Sequence, residues 1–93
     1  MIDFVVHDES DSVGVVVREG VVAGSHIKGW VMEQDREIEF TAVNDIPIGH
    51  KMAIKPLMDG DAVIKYGIDI GRTVANIGEG EHAHVHNIKT RRW

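Results

Sequence analysis

Valine and isoleucine together supply 24 residues of this chain, and Leu57 is its only leucine. Side chains branched at Cβ lose rotamer freedom against the turns of a helix but pack well on a pleated surface, so the imbalance points to strands. The expected fold class is all-β. The pattern agrees in Glu37-Ile38-Glu39-Phe40-Thr41-Ala42-Val43, where polar and apolar residues alternate with a period of two, as in a strand with one buried face. Further strands are expected over residues 4–7, 13–18, 26–32, 51–57, 62–66, 73–77 and 82–89. Inward positions are taken as Val15, Val17, Ile38, Phe40, Ile54, Val63, Ile64 and Val74, with Trp30 and Tyr66 as core or interface anchors.

Glycines beside Asp or Asn punctuate these segments, consistent with turns that need positive φ. Asp59-Gly60 reads as a hairpin turn between Ile54–Leu57 and Val63–Ile64. Asp8–Ser12 is the most polar stretch and reads as a solvated loop. No linker, internal repeat or low-complexity tract is evident, so residues 1–93 are expected to form a single domain.

Charge and size exclude several function classes. A net charge of −5 and a pI near 5.6 leave no basic face for nucleic acid, since the one basic cluster is terminal, at Lys89, Arg91 and Arg92. Without cysteine there can be no disulfide framework, zinc knuckle or thiol nucleophile, and any ion is expected to take nitrogen or oxygen donors. No stretch approaches the ~20 apolar residues of a membrane span, and the N-terminus does not resemble a signal peptide. The expectation is a soluble, unprocessed, cytoplasmic chain. At 93 residues it is too small to enclose a deep site, so a partner chain is expected. Short valine-rich edge strands could also pair with a second copy when that partner is absent.

The most chemical segment is Gly80-Glu81-His82-Ala83-His84-Val85-His86-Asn87. In an extended strand residues two apart share a face, which would set His82, His84 and His86 in one imidazole row. Neutral imidazole is a common metal ligand and titrates near neutrality, so such a row suits a divalent ion or an anionic substrate. The plainer reading, a surface strand whose polar face happens to be histidine-rich, stands beside it. A second constellation is Ile46-Pro47-Ile48-Gly49-His50-Lys51, a sharp corner that delivers His50 and Lys51 to the start of a strand, for an anion or merely for solvent. Tyr66-Gly67-Ile68-Asp69-Ile70-Gly71-Arg72 lacks the ending of a phosphate loop and reads as a tight bend with Asp69 bonding local amides. His7 reads as a cap or surface residue. Trp93, flanked by Arg91 and Arg92, suggests an interface anchor.

Taken together, Pro47-Ile48-Gly49-His50-Lys51, Tyr66-Gly67-x-Asp69-Ile70-Gly71 and Gly80-Glu81-His82-x-His84-x-His86-Asn87 resemble the small-domain signature of the altronate and galactarate dehydratase family. The resemblance implies an SAF-type β-clip fold and a small subunit working with a large catalytic subunit. It also implies β-elimination from a small anionic 2-hydroxy acid, expelling hydroxide or, in one branch, sulfite. His84-Val85-His86-Asn87-Ile88-Lys89-Thr90-Arg91-Arg92-Trp93 and Gly29-Trp30-Val31-Met32 resemble the sulfite-expelling branch. A divalent metal, Fe2+ in particular, is implied as cofactor, held by His82, His84 and His86 or mainly by the large subunit. His84 and His86 are then the expected catalytic residues. His50, Lys51, His82 and Asn87 are expected to meet substrate, and Arg91, Arg92 and Trp93 the partner. Two other classes stay open: a regulatory or scaffold subunit whose histidines only pack on its partner, and a free-standing carbohydrate- or metal-binding module.

Overall fold

The computed structural model describes residues 1–90. Nine short strands and no helix are found among them: β1 Phe4–Val6, β2 Val13–Val16, β3 His26–Val31, β4 Arg36–Thr41, β5 Lys51–Ala53, β6 Ala62–Lys65, β7 Ile68–Thr73, β8 His82–Ala83 and β9 Ile88–Thr90. They form a six-stranded sheet in the order β4-β3-β1-β2-β5-β8 and a three-stranded sheet in the order β6-β7-β9. The all-β expectation holds. β1 and β3 run parallel, and every other pairing is antiparallel.

Two cores lie side by side. One gathers Phe4, Val6, Val16, Val21, Ile27, Val31, Ala42, Ile46 and Met52; the other gathers Val13, Ala53, Leu57, Val63, Ile77, Ala83 and Ile88. Of the inward positions expected from sequence, Val63 is fully buried, and Ile38, Phe40 and Ile54 pack half-buried against the first core. Val15 and Ile64 are half-buried. Val17 and Val74 are corrected, being 44% and 51% exposed. An all-valine run such as Val15-Val16-Val17 carries no alternation to set its phase, and a slip of one residue turns every side chain over. Trp30 and Tyr66 also lie at the surface, 37% and 49% exposed.

Several element boundaries differ from expectation. The strand expected over residues 73–77 is instead β7, which ends at Thr73; the bend expected over Tyr66–Arg72 is confined to Tyr66-Gly67, both at positive φ. The Asp59-Gly60 turn exists but joins no hairpin, because β5 pairs with β2 and β8 while β6 pairs with β7. Asp8–Ser12 is not wholly solvated. Asp11 and Ser12 are buried, with Asp11 accepting bonds from the Tyr66 and Gly67 amides at 3.0 Å each and Ser12 Oγ accepting from the Ile64 amide at 3.0 Å. A buried carboxylate is tolerable when amides satisfy it, and here it holds the left-handed turn between β6 and β7.

The chain also carries a recurrence that its sequence conceals. Four times a buried aliphatic residue is followed, three positions later, by a glycine at positive φ and then a strand or its approach: Val21 with Gly24, Ile46 with Gly49, Leu57 with Gly60, and Ile77 with Gly80. In each corner the residue after the glycine donates its amide to the carbonyl three residues back: Ser25 to Val22, His50 to Pro47, Asp61 to Met58 and Glu81 to Gly78, at 2.9–3.0 Å. Glycine φ values of +85° to +91° are left-handed, as the third position of a type II turn requires. The corners pair two by two, through bridges Val21↔Ile46 and Leu57↔Ile77. Val21 and Ile46 belong to the first core, and Leu57 and Ile77 to the second.

Candidate active site

The second and fourth corners are brought together by β5 and β8, which pair with Lys51 opposite Ala83 and Met52 opposite His82. His50 closes one corner and His82 follows the other, so imidazoles far apart in sequence meet at the seam between the two cores. His50 Nδ1 lies 2.9 Å from His82 Nε2. The His50 ring stacks on that of His84 with centroids 4.0 Å apart, and His82 and His84 stack at 5.5 Å. His86 lies beside His82, with ring centroids 5.1 Å apart and the rings tilted.

The three histidines of the C-terminal segment do not form a strand row. β8 ends at Ala83, residues 84–87 turn, and β9 begins at Ile88. Asn87 drives that turn: its Oδ1 accepts from the His84 amide at 2.9 Å and its Nδ2 donates to the His82 carbonyl at 2.9 Å. Both ends of the Asn87 amide are thus engaged with backbone, so it shapes the site, with one N–H and one lone pair still available to a ligand. Asn44, which sequence reading did not single out, accepts the His82 amide at 3.0 Å from the loop before the second corner. Its signal was its place two residues before Ile46, legible only once the corners are known to pair.

Burial, followed by the repulsion that His86, His50, His84 and Lys51 would exert on a second positive charge, lowers the pKa of His82 from its ordinary value. Burial and then His50, Lys51 and His86 lower that of His84. Both shifts favour the neutral ring, the form that binds metals or accepts protons. Lys51 is lowered too, by burial first and by Lys65 second. A cavity of ≈ 140 Å³ opens beside His84, walled by Ile70, Val85 and Ile88, with Lys51 and Thr90 as its other polar lining.

Among the described residues one set of three side chains has ligand atoms converging within 4.8 Å, namely His50, His82 and His84. The donor set, three imidazole nitrogens able to approach one point, fits a borderline divalent ion. His84 Nδ1 is buried without a hydrogen-bond partner, as a ligand atom awaiting an ion or a proton would be. His50 takes the place that the strand row gave to His86. Arg91, Arg92 and Trp93, the expected partner anchors, lie outside the described residues.

The all-β domain is what the sequence signature implied, the imidazole cluster at the β5–β8 seam is what the structure adds, and comparison with known proteins fixes the class. Residues 2–91 match the altronate/galactarate dehydratase SAF domain, and the chain belongs to that family. It is 61% identical over 92 residues, covering 99% of this chain and 98% of the relative, to the (2R)-sulfolactate sulfo-lyase subunit alpha of Chromohalobacter salexigens. The subunit of the same name from Paracoccus pantotrophus is 51% identical over 63 residues, 68% of this chain and 94% of that one. The altronate dehydratase of Bacillus subtilis is 47% identical over 47 residues, half of this chain but only 10% of that protein. No helix among the described residues is long and apolar enough to cross a membrane.

Proposed function

We propose that this chain is the small subunit of a two-subunit cytoplasmic lyase that splits (2R)-sulfolactate into pyruvate and sulfite. The observation that carries the reading is the near end-to-end, 61% identity with a sulfo-lyase subunit alpha, whereas the dehydratase of Bacillus subtilis shares only a tenth of its length with this chain. In the reaction the C–H bond beside the carboxylate breaks, its electron pair forms the carbon–carbon double bond, and the C–S bond breaks with its pair on sulfite; the enol becomes pyruvate. Such chemistry needs a proton acceptor and positive charge facing the carboxylate.

His50, His82 and His84 would hold a divalent ion, Fe2+ being the expected one, which when bound supplies electrostatic stabilisation for the charge that develops at the carboxylate. Lys51, on the wall of a cavity of ≈ 140 Å³, faces an anionic end of the substrate. Its apolar walls suit the small carbon chain. His86, exposed beside His82 and outside the converging three, is the group of this chain left to move the proton. The large subunit closes the site, because the cavity alone is too small and open to bury a reaction from water.

Turnover by the reconstituted two-subunit enzyme tests the assignment, with assembly checked separately by gel filtration. His84→Ala and His86→Ala should each assemble and lose most activity, and His84→Ala should also lose bound metal. Two variants that assemble and turn over normally would make the cluster a packing feature and leave catalysis to the partner.

A further inference from the structure

The four corners share a backbone but not the fate of the side chain after the glycine. In three of them that side chain turns back and accepts the amide of the residue that begins the turn: Ser25 Oγ from Val22 at 3.2 Å, Asp61 Oδ2 from Met58 at 2.8 Å, and Glu81 Oε2 from Gly78. The second corner in chain order is the exception, since it begins with Pro47, which has no amide hydrogen to give. There the side chain is His50, and its Nδ1 meets His82 Nε2 instead.

We infer that Pro47 is a positioning residue of the candidate site: by withholding the amide that captures the side chain in the other corners, it leaves the His50 ring free to face His82 and His84. The covalent geometry makes capture a real alternative. Nδ1 of histidine is bonded to Cγ, as is Oδ2 of Asp61, so an unprotonated Nδ1 at this position can reach a turn amide as that carboxylate does. Donor supply decides between the two arrangements. The cluster needs His50, because only with it do three ligand atoms converge within 4.8 Å. In its consequence for metal binding the inference rests on the function proposed above; in its geometry it does not.

The test uses the whole chain, first stripped of metal. In Pro47→Ala the new amide should be protected from exchange and the His50 Nδ1 resonance, read by long-range ¹H–¹⁵N correlation, should shift to that of an acceptor of a backbone bond. Affinity for Co2+ should then weaken about tenfold or more, the range seen when outer support of a ligand is removed. A His50 resonance and Co2+ affinity both unchanged would overturn the inference. A role in rigidity alone predicts a lower melting temperature with no change at His50 Nδ1. The converse is available in the third corner should Pro47→Ala fail to fold: the imidazole of Asp61→His should be captured by the Met58 amide, and Met58→Pro in the same chain should release it. Equal Nδ1 resonances in those two chains would also overturn the inference. Absence of Co2+ binding by the unaltered chain would sink the metal reading while leaving the His50 resonance to decide the role of Pro47.

Discussion

The third corner, Leu57–Asp61, and the second, Ile46–His50, start from the same backbone and end in opposite uses of one position. In the third, Asp61 is tied down: its side chain accepts from Met58, its amide bonds to Thr73 Oγ1 at 3.0 Å, and the Thr73 hydroxyl donates to the Met58 carbonyl at 2.6 Å. In the second, His50 has no such bond to its own turn and lies against two other imidazoles. One position in a repeated turn thus serves either stability or chemistry. A site becomes available where the repeat withholds a bond.

Exchanging the roles should break the comparison most visibly in turnover. His50→Ala is expected to lower the rate of the reconstituted enzyme by at least roughly 10–100-fold, the range seen when even the outer support of a metal site is removed, with little change in melting temperature. Asp61→Ala should do the reverse, holding turnover within about twofold while costing ~1 kcal/mol for the lost bond. For a domain of this size that is a fall of about 4–8 °C in melting temperature. Equal effects on both readouts would mean that the two corners do the same work.

The corner glycines sharpen the contrast between turns that differ only in what surrounds them. Gly60 and Gly80 have nearly the same left-handed φ, +91° and +85°. A Cβ at Gly60 would meet nothing within 4 Å, whereas one at Gly80 would lie 2.5 Å from the Thr41 carbonyl oxygen. Gly60→Ala should therefore cost ~1–2 kcal/mol, the strain of a left-handed non-glycine residue. Gly80→Ala adds a backbone clash, which at ~1–3 kcal/mol brings the total to ~2–5 kcal/mol. Denaturant melts of the two variants measure the difference directly. Equal losses would show that the fourth corner moves away from β4 without cost.

Much of this was legible in the residues taken one stretch at a time. The β-branched excess gave the fold class, and His50-Lys51 and the histidines at 82, 84 and 86 were each visible as chemistry. What local reading could not supply was their meeting, which depends on β5 pairing with β8 across about thirty residues. The expected histidine row failed for a nearby reason: Asn87 folds the chain back after His84, an option that alternation cannot foresee. The corners escaped notice because they repeat three roles rather than letters. An aliphatic residue, a glycine three further on and a polar residue after it recur, while the residues between are unrelated. Asp11 was missed because a charged residue in a polar stretch looks solvated until the amides that bury it are placed.

The smallest expected effect concerns the first core, beside which Asp3 forms an ion pair with Arg18, whereas the buried Asp11 beside the second accepts from the Tyr66 and Gly67 amides. Asp3 is buried, accepts the Lys28 amide at 2.9 Å and bonds the Arg18 guanidinium. Burial is the largest single influence on its carboxyl and pushes the pKa up. The Lys28 amide bond, the Arg18 bond and charge, and the N-terminal ammonium together outweigh it, leaving the group below its ordinary value. A carboxyl depressed in the folded state binds its proton more readily in the unfolded chain, so the stability it contributes is present above the unfolded value of about 3.9 and is lost as pH falls through the folded one. Melting temperature should therefore decline between about pH 5 and pH 3, and Asp3→Asn should start lower at neutral pH yet decline less steeply. Because Arg18 is itself partly exposed to solvent, the difference in slope should correspond to less than about 1 kcal/mol. The same slope in both proteins would mean that acid sensitivity comes from other carboxylates and that the two cores do not differ in this respect.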